Sequence, residues 1–501
     1  MVKIREIVNQ NPWWKHGSQF FAFDRHFKEI KDIPIFIRRD FITVNVDNIY
    51  IIRGCRQIGK TTYIKDWILN LLRHNVPPRS ILYLSVDFFT SRRELRNAIK
   101  YFIDQNIRSE KIYIFLDEVT YLDDWNLELK YLWDSGMASK AIIVVTGSSG
   151  YALRKKAEQL PGRGLEGNEY YMRALNFREF SKHTLPKFIE YNEGEFHQSL
   201  VQVKNELPNV YIESNFSDDT FYNAATSILP YKAEIGYLFN KYLQTGGFPF
   251  VINSINIESL SQSEVRMDVD DALVEIFIKT ISGEINRRGL NEAISRRILR
   301  EVIEKYGSRY SFTSLAGDVG ASHVTVIDYL NFLESSFILS TLYPYDLTRN
   351  RIREKGQKKV YFQDPFLYAA MTTYVTGLSV NEIYEDMLAN EELMSLIIEG
   401  IVHSHLQKNI EIPNIVEGKN SVYYYYNTRG KEIDYIVRKK DKIIGIEVKY
   451  KENVSVSDVN KHRNIDKYYV LSKEDVEFEE NVFVIPMDVF LFLLKRSAHN
   501  I

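Results

Sequence analysis

Gly54-Cys55-Arg56-Gln57-Ile58-Gly59-Lys60-Thr61 satisfies G-x-x-x-x-G-K-[ST] without a mismatch, and Thr62 follows directly. Such a run can cradle phosphate. Its glycines let successive backbone N–H groups turn inward onto phosphate oxygens, and a helix opening at the lysine adds partial positive charge. Lys60 is expected to reach the β- and γ-phosphates of ATP, and the Thr61 hydroxyl to ligate Mg2+. At a distance of 57 positions from Lys60, KIYIFLDE ends an apolar run in two acids, Asp117 and Glu118. Asp117 would hold Mg2+ through water, and Glu118 would orient and deprotonate an attacking water. Without Glu118 the pattern reads as nucleotide binding; with it, hydrolysis. The run Ala141–Thr146 leads into Gly147-Ser148-Ser149. Ser148 is the first choice to sense a γ-phosphate, with Thr146 and Ser149 as competitors. Arg163, in LPGRG, suits a γ-phosphate contact in cis or in trans, and an ordinary surface arginine is the competing reading.

A second constellation lies near the C-terminal end. The apolar stretch Leu393–Asn409 reads as an amphipathic helix that places Glu399 beside Ile398, Val402 and Leu406. Asp434 follows in EIDYIV, and Glu447-Val448-Lys449 in IIGIEVK. Side chains alternate along a strand, so Glu447 and Lys449 share a face while Val448 points into the core. Carboxylates at strand ends suit a hard divalent ion, here a second Mg2+ or Mn2+. A neighbouring lysine can stabilise charge developing on a phosphate. From Arg429 to Lys473 there are 12 Lys and Arg against 7 Asp and Glu, a local excess of 5 positive charges. That excess suits phosphate contact and makes DNA the expected partner.

The succession strand-GxRQxGKTT, strand-LDE, strand-TGSS, then LxGR and NFREF resembles the archaeal and bacterial AAA+ ATPases. Gly246-Gly247-Phe248-Pro249 is similar to the GGFP element of one largely uncharacterised branch. The resemblance covers most of residues 1–350 and implies an ATPase core, a helical lid and a winged helix. Asp434 and Glu447-x-Lys449 resemble the PD-(D/E)XK nuclease signature over about residues 355–490. That order, with a preceding helix glutamate, matches the domain often fused to this ATPase branch. The expected function is therefore Mg2+-dependent ATP hydrolysis coupled to a nuclease-like domain that binds or cleaves DNA. The alternative is a nucleotide-switched DNA-binding, regulatory or defence-scaffold protein without cleavage.

The elements needed to position these residues are legible. Short β-branched or aromatic runs at Asn48–Ile52, Ile81–Val86, Lys111–Leu116 and Ala141–Thr146 alternate with helical patterns at Thr61–Leu72 and Ser91–Gln105. This predicts a doubly wound α/β parallel sheet buried on both faces. Within Phe312–Tyr345 the pattern is helix, turn, helix and strand pair, with Gly320 closing the first helix and Ser322 capping the second. His323, Thr325 and Asp328 would lie on the exposed face of the second helix. The expected division is an ATPase core at 1–180, a helical lid with an insertion near 192–219 at 181–300, a winged helix at 301–350 and an α+β nuclease-like domain at 351–501.

Composition sets the outer bounds. The 501 residues, 45% hydrophobic and 26% charged, allow about three domains and exclude a wholly disordered chain. Lys and Arg number 64 against 66 Asp and Glu, so any nucleic-acid surface must be a local patch. Cys55 is the single cysteine, which excludes an internal disulfide and suits a reducing compartment. The N-terminal residues lack a signal-peptide pattern and no run of 18 apolar residues occurs, so a cytoplasmic protein with no membrane contact is expected. A homo-oligomer is the further expectation, since an arginine acting in trans requires one. The Trp13-Trp14 pair reads as packing in preference to base stacking.

Overall fold

A computed structural model describes residues 4–31, 33–147, 167–210, 216, 220–255, 268–409, 422–427, 429–439 and 442–501. Two compact units emerge. One comprises Met1–Arg173 with Ser335–Phe337 and His499–Ile501; the other comprises Ala174–Glu334 with Ile338–Ala498.

The first unit is built on five strands: β1 (Asn48–Gly54), β2 (Ile81–Ser85), β3 (Ile112–Asp117), β4 (Ala141–Gly147) and β5 (Glu169–Met172). Their order is β2-β3-β4-β1-β5, and every pairing is parallel. The four anticipated strands are present, each within two residues of its expected bounds. Ile51, Leu84, Ile114 and Ile143 are fully buried in one core, as an apolar run covered on both faces requires. The helix Lys60–Arg73 springs from β1, and Ser91 caps the helix Arg92–Gln105 by accepting from the Glu94 N–H. This is a parallel sheet of the doubly wound α/β kind, and a mixed α+β region follows it.

The outer edge of β2 carries backbone groups that helices alone do not satisfy. Side chains of the N-terminal segment do so. The Asn11 amide donates to the Tyr83 carbonyl at 2.9 Å and accepts from the Tyr83 N–H at 2.7 Å. Gln10 accepts from the Ser85 N–H, and both Trp13 and Trp14 donate to the Ile81 carbonyl. Trp13 is buried, and Trp14 stacks on Phe102 at 6.3 Å. The tryptophan pair is therefore packing, as expected. At the opposite edge, β5 pairs with the last residues of the chain through Tyr171 and Asn500.

The second unit carries the helix pair Phe312–Val319 and His323–Ser335, with Gly320 left-handed at φ 66° and the Ser322 hydroxyl accepting from the Thr325 N–H at 3.0 Å. Short strands follow: β6 (Leu339–Leu342), β7 (Tyr345–Asp346), β8 (Arg351–Ile352) and β9 (Lys359–Phe362). β6 pairs with β9, and β7 with β8, both antiparallel. Two helices that the sequence reading passed over, Pro365–Thr376 and Val380–Ala389, lead into the helix Glu391–Asn409. The final sheet comprises β10 (Val422–Tyr426), β11 (Glu432–Lys439), β12 (Lys442–Val448), β13 (Lys467–Ser472), β14 (Glu477–Glu479) and β15 (Val482–Pro486). Its order is β10-β11-β12-β13-β15-β14, with β10, β11 and β12 antiparallel and β13 parallel to β12. Of the stretch 192–219, the described part includes the helix Gly194–Val210.

Gly246-Gly247 proves to be a packing device. A Cβ on Gly246 would fall 1.8 Å from the Asp364 carboxylate, and one on Gly247 would fall 2.1 Å from the Leu175 carbonyl. The Gly247 N–H donates to Asp364 at 2.9 Å, and its carbonyl accepts from the Leu175 N–H at 2.9 Å. Only glycine lets the two backbones approach so closely.

Candidate active site

The run after β1 folds as a phosphate loop because its backbone adopts conformations that ordinary strands avoid. Gln57 and Gly59 have φ of 58° and 95°, and the helix begins at Lys60. Gly54 has a different constraint: a Cβ there would lie 2.3 Å from the Met172 carbonyl of β5. Lys60 is buried, and its ammonium donates to the carbonyls of Gly54 and Cys55 at 3.0 and 2.9 Å. The lysine is thus held within the loop that would wrap a phosphate. Cys55 and Ile58 are buried, Arg56 and Thr62 half-buried, and Gln57 exposed.

Asp117, at the end of β3, is the hub. Its side chain is buried, and each carboxylate oxygen accepts twice. Oδ2 accepts from the Thr61 hydroxyl at 2.7 Å and from the Tyr83 hydroxyl at 3.0 Å. Oδ1 accepts from the Thr146 hydroxyl and from the Glu118 N–H at 3.1 Å. The parallel sheet makes this convergence possible: β1, β3 and β4 all end on the same side, and β4 lies between the other two. Burial, with Asp117 beside it, holds the Tyr83 phenol well above its ordinary value, so it remains a donor. Glu118 sits at φ 55°, the left-handed region, and is half-buried. A non-glycine residue held there is a sign of local strain, a feature that concentrates at functional sites.

Sequence reasoning missed Tyr83, which lies two residues before Ser85, the register partner of Asp117 across β2 and β3, and so on the same face of the sheet. Thr146, a competitor in that reading, contacts Asp117. Ser148, Ser149 and Arg163 lie outside the described residues.

In the second unit, the four C-terminal candidates divide into two connected groups. Glu447 is buried; it accepts from the Asn460 N–H at 2.8 Å and pairs with the Lys449 ammonium at 3.1 Å. Asp434 accepts from the Val448 N–H at 2.8 Å, which ties β11 to the end of β12. Burial first, then the charge of Glu399, push Asp434 up to about 7. Burial alone would lower Lys449, but Glu447 and Asp434 outweigh it and raise the ammonium above its usual value. Glu399 faces Lys359 and Tyr361 of β9, accepting from Lys359 at 2.8 Å and from the Tyr361 hydroxyl.

Among the described residues, no group of three or more His, Cys, Asp or Glu side chains is placed to hold a metal ion. Beside Glu399 stands Lys359. Its buried ammonium stands 2.8 Å from Glu399 and 2.6 Å from Glu432, supplying the cationic charge that a metal would otherwise bring. The helix Glu391–Asn409 also departs from its amphipathic reading. It is buried nearly all round, with His403, His405 and Lys408 enclosed, and the Nε2 of His405 accepts from the Phe177 N–H at 2.8 Å. No helix among the described residues is long and apolar enough to cross a membrane.

Residues 46–181 match the AAA domain family. Residues 236–380 and 395–490 match two domains of unknown function, DUF8612 and DUF4143. An uncharacterized protein of Methanocaldococcus jannaschii is 26% identical over 378 residues, covering 73% of this chain and 72% of its own length. Another, from Haemophilus influenzae, is 23% identical over 428 residues, covering 83% and 86%. Among solved structures, Cdc6p from Pyrobaculum aerophilum aligns at 12% identity over 66% of this chain and 88% of its own. Its TM-score of 0.21 lends no weight to the fold, which rests on strand order and register. With the phosphate loop and the buried strand-end aspartate brought together by a parallel sheet, residues 46–181 form a P-loop domain similar to the AAA domain family, and the match supports an ATPase-type function.

Proposed function

We propose that this protein is a Mg2+-dependent ATPase whose nucleotide cycle serves a C-terminal region that engages DNA. The observation that carries the first half is the Thr61 hydroxyl and Asp117 carboxylate, 2.7 Å apart beside Lys60. These hard oxygen donors fit Mg2+. Thr61 and Asp117 would hold it, and when bound it would neutralise charge on the phosphates of ATP. The loop Gly54–Thr62 binds the phosphates through its N–H groups, and Lys60 turns its ammonium from the loop carbonyls to the β- and γ-phosphates. Glu118 orients water and accepts its proton. Ser148 is proposed to sense the γ-phosphate, and Arg163 to contact it in cis or, in a homo-oligomer, in trans.

Two variants test this reading. Lys60→Ala should abolish ATP binding, whereas Glu118→Gln should bind ATP yet lose turnover by about 10²-fold or more. Wild-type hydrolysis by Glu118→Gln would end the assignment.

For the C-terminal region, engagement without cleavage is the favoured reading, and Lys359 favours it. Lys359 pairs with Glu399 and Lys449 with Glu447, so two of the three carboxylates already face a cation supplied by the protein itself. The nuclease-like reading is the second, supported by the shared position of Asp434, Glu447 and Lys449 at adjoining strand ends. A plasmid-nicking assay with Mg2+ or Mn2+ separates the two. Nicking lost in both Asp434→Ala and Lys449→Ala would establish cleavage.

A further inference from the structure

One dense run of positive charge is used by neither the phosphate loop nor the C-terminal candidates. Residues 346–359 read DLTRNRIREKGQKK, with six basic side chains against two acidic ones, in a chain whose net charge is −2. Arg349, Arg351 and Arg353 recur at every second position, and all three are exposed, as is Lys355. None of these four forms an ion pair with a carboxylate among the described residues, whereas Lys359, at the foot of the segment, is buried in two.

The segment is firmly built. Tyr345 pairs with Ile352 and Asp346 with Arg351 across β7 and β8. Asp346 accepts from the N–H groups of Thr348 and Arg349 at 3.1 and 3.0 Å, and the Tyr345 hydroxyl donates to Asn350 at 2.6 Å. Tyr345 stacks on Tyr423 at 4.9 Å, and the Tyr424 hydroxyl donates to the Gln357 carbonyl at 2.6 Å. These contacts fasten the hairpin beside β10, the edge strand of the six-stranded sheet. The arginines are thus presented from a rigid base.

The hairpin connects to the candidate cluster through an unbroken series of contacts. The guanidinium groups of Arg353 and Arg309 each lie 4.6 Å from the centre of the Tyr426 ring. Arg309 meets Glu432 at 3.2 Å, Glu432 meets Lys359 at 2.6 Å, and Lys359 meets Glu399 at 2.8 Å. Tyr426 in turn stacks on Tyr424 at 5.6 Å, so an aromatic surface accompanies the charges.

We propose that the hairpin Tyr345–Lys359, with Arg309 and Tyr426, is the docking surface for the sugar–phosphate backbone of a nucleic acid, leading toward Glu399, Asp434 and Lys449. The proposal rests on the DNA-engaging reading of the C-terminal region and supplies its contact residues. Alternating arginines track successive phosphate charges, and the Tyr426 ring, with Arg309 and Arg353 against it, holds two of the guanidinium groups in place. A lipid surface would require exposed apolar side chains among the basic ones. Here Leu347 is buried and Ile352 half-buried.

The test uses the full chain and a short fluorescein-labelled oligonucleotide, single-stranded in one arm and duplex in the other. Fluorescence anisotropy is followed from about 50 to about 200 mM salt. The triple variant Arg349→Gln, Arg351→Gln, Arg353→Gln should shrink the slope of log K against log salt by about 2 for single strands or about 3 for duplex. The corresponding triple substitution to Lys should keep the slope, and an unchanged melting temperature for both variants shows that the fold persists. Wild-type binding matched by the Gln variant overturns the hairpin surface and leaves the DNA reading intact. No binding by the wild type in either arm overturns both. Displacement of the oligonucleotide by poly-glutamate at equal charge assigns the surface to an acidic protein and overturns the proposal.

Discussion

Replacing Asp117 separates its structural work from its electrostatic work. Its two oxygens take four hydrogen bonds, from Thr61, Tyr83, Thr146 and the Glu118 N–H. In Asp117→Ala all four donors lose their acceptor. Thr61 and Glu118 border a half-exposed loop and can turn to water, but Tyr83 and Thr146 are buried, at 6% and 0% exposure. Each buried donor left unsatisfied costs about 1–3 kcal/mol, so the two together cost roughly 2–6 kcal/mol. Asp117→Asn behaves differently. Its remaining oxygen can keep the fixed Glu118 N–H, and its NH₂ can donate to the Thr61 and Tyr83 hydroxyls once those rotate. The loss of stability should then be about 2 kcal/mol or less. Both variants remove the negative charge, so both should lose Mg2+-stimulated ATP hydrolysis. Thermal melting alongside an ATPase assay reads the two effects apart. Equal melting temperatures for Ala and Asn, or Mg2+-stimulated turnover by Asn, would refute the reasoning.

Two further outcomes test the second unit. Gly247→Ala places a methyl 2.1 Å from the Leu175 carbonyl, so it should destabilise by about 1–3 kcal/mol or more, seen as a fall in melting temperature with no change in the salt dependence of DNA binding. Burial pushes Asp364 up to about 6, against Lys408 and the N–H groups of Gly247 and Phe366. A folded value above the unfolded one means that its stabilising contribution is complete below about pH 4 and is lost as pH rises through 6. Asp364→Asn should flatten that part of a melting-temperature profile taken from pH 4 to 7. An unaltered profile would show that the carboxyl does not titrate there.

How much of this was legible depended on whether the chemistry was contiguous in sequence. The phosphate loop is eight consecutive residues whose spacing carries its own geometry, and Asp117 sits where an apolar strand ends in acids. Tyr83 and Asn11 escaped notice because their partners lie across a strand pairing that no local pattern encodes. β5 is only four residues long, too short for its alternation to register. Pro365–Thr376 escaped for the opposite reason. Its residues are buried on every side, so the period of 3.6 that marks a surface helix is absent.

The same cause explains the C-terminal cluster. Glu399 was read as lying on the apolar side of an amphipathic helix, available to a metal. A helix buried nearly all round cannot leave a carboxylate charged without a cation beside it, because desolvation of an unpaired charge is too costly. The partner had to exist, and it had to come from another element. Lys359 arrives from β9, forty residues before Glu399, in a run that reads locally as nothing more than the start of an apolar strand. Its own burial would drive a lone lysine toward neutrality, yet Glu399, Asp434 and Glu432 together hold it charged. The pairing serves both elements: the strand lysine stands 2.8 Å from the helix glutamate and 2.6 Å from Glu432, so charge enters this interior only beside its opposite. A motif drawn only from carboxylates and one conspicuous lysine sees half of such an arrangement. The burial of the helix is what reveals the other half.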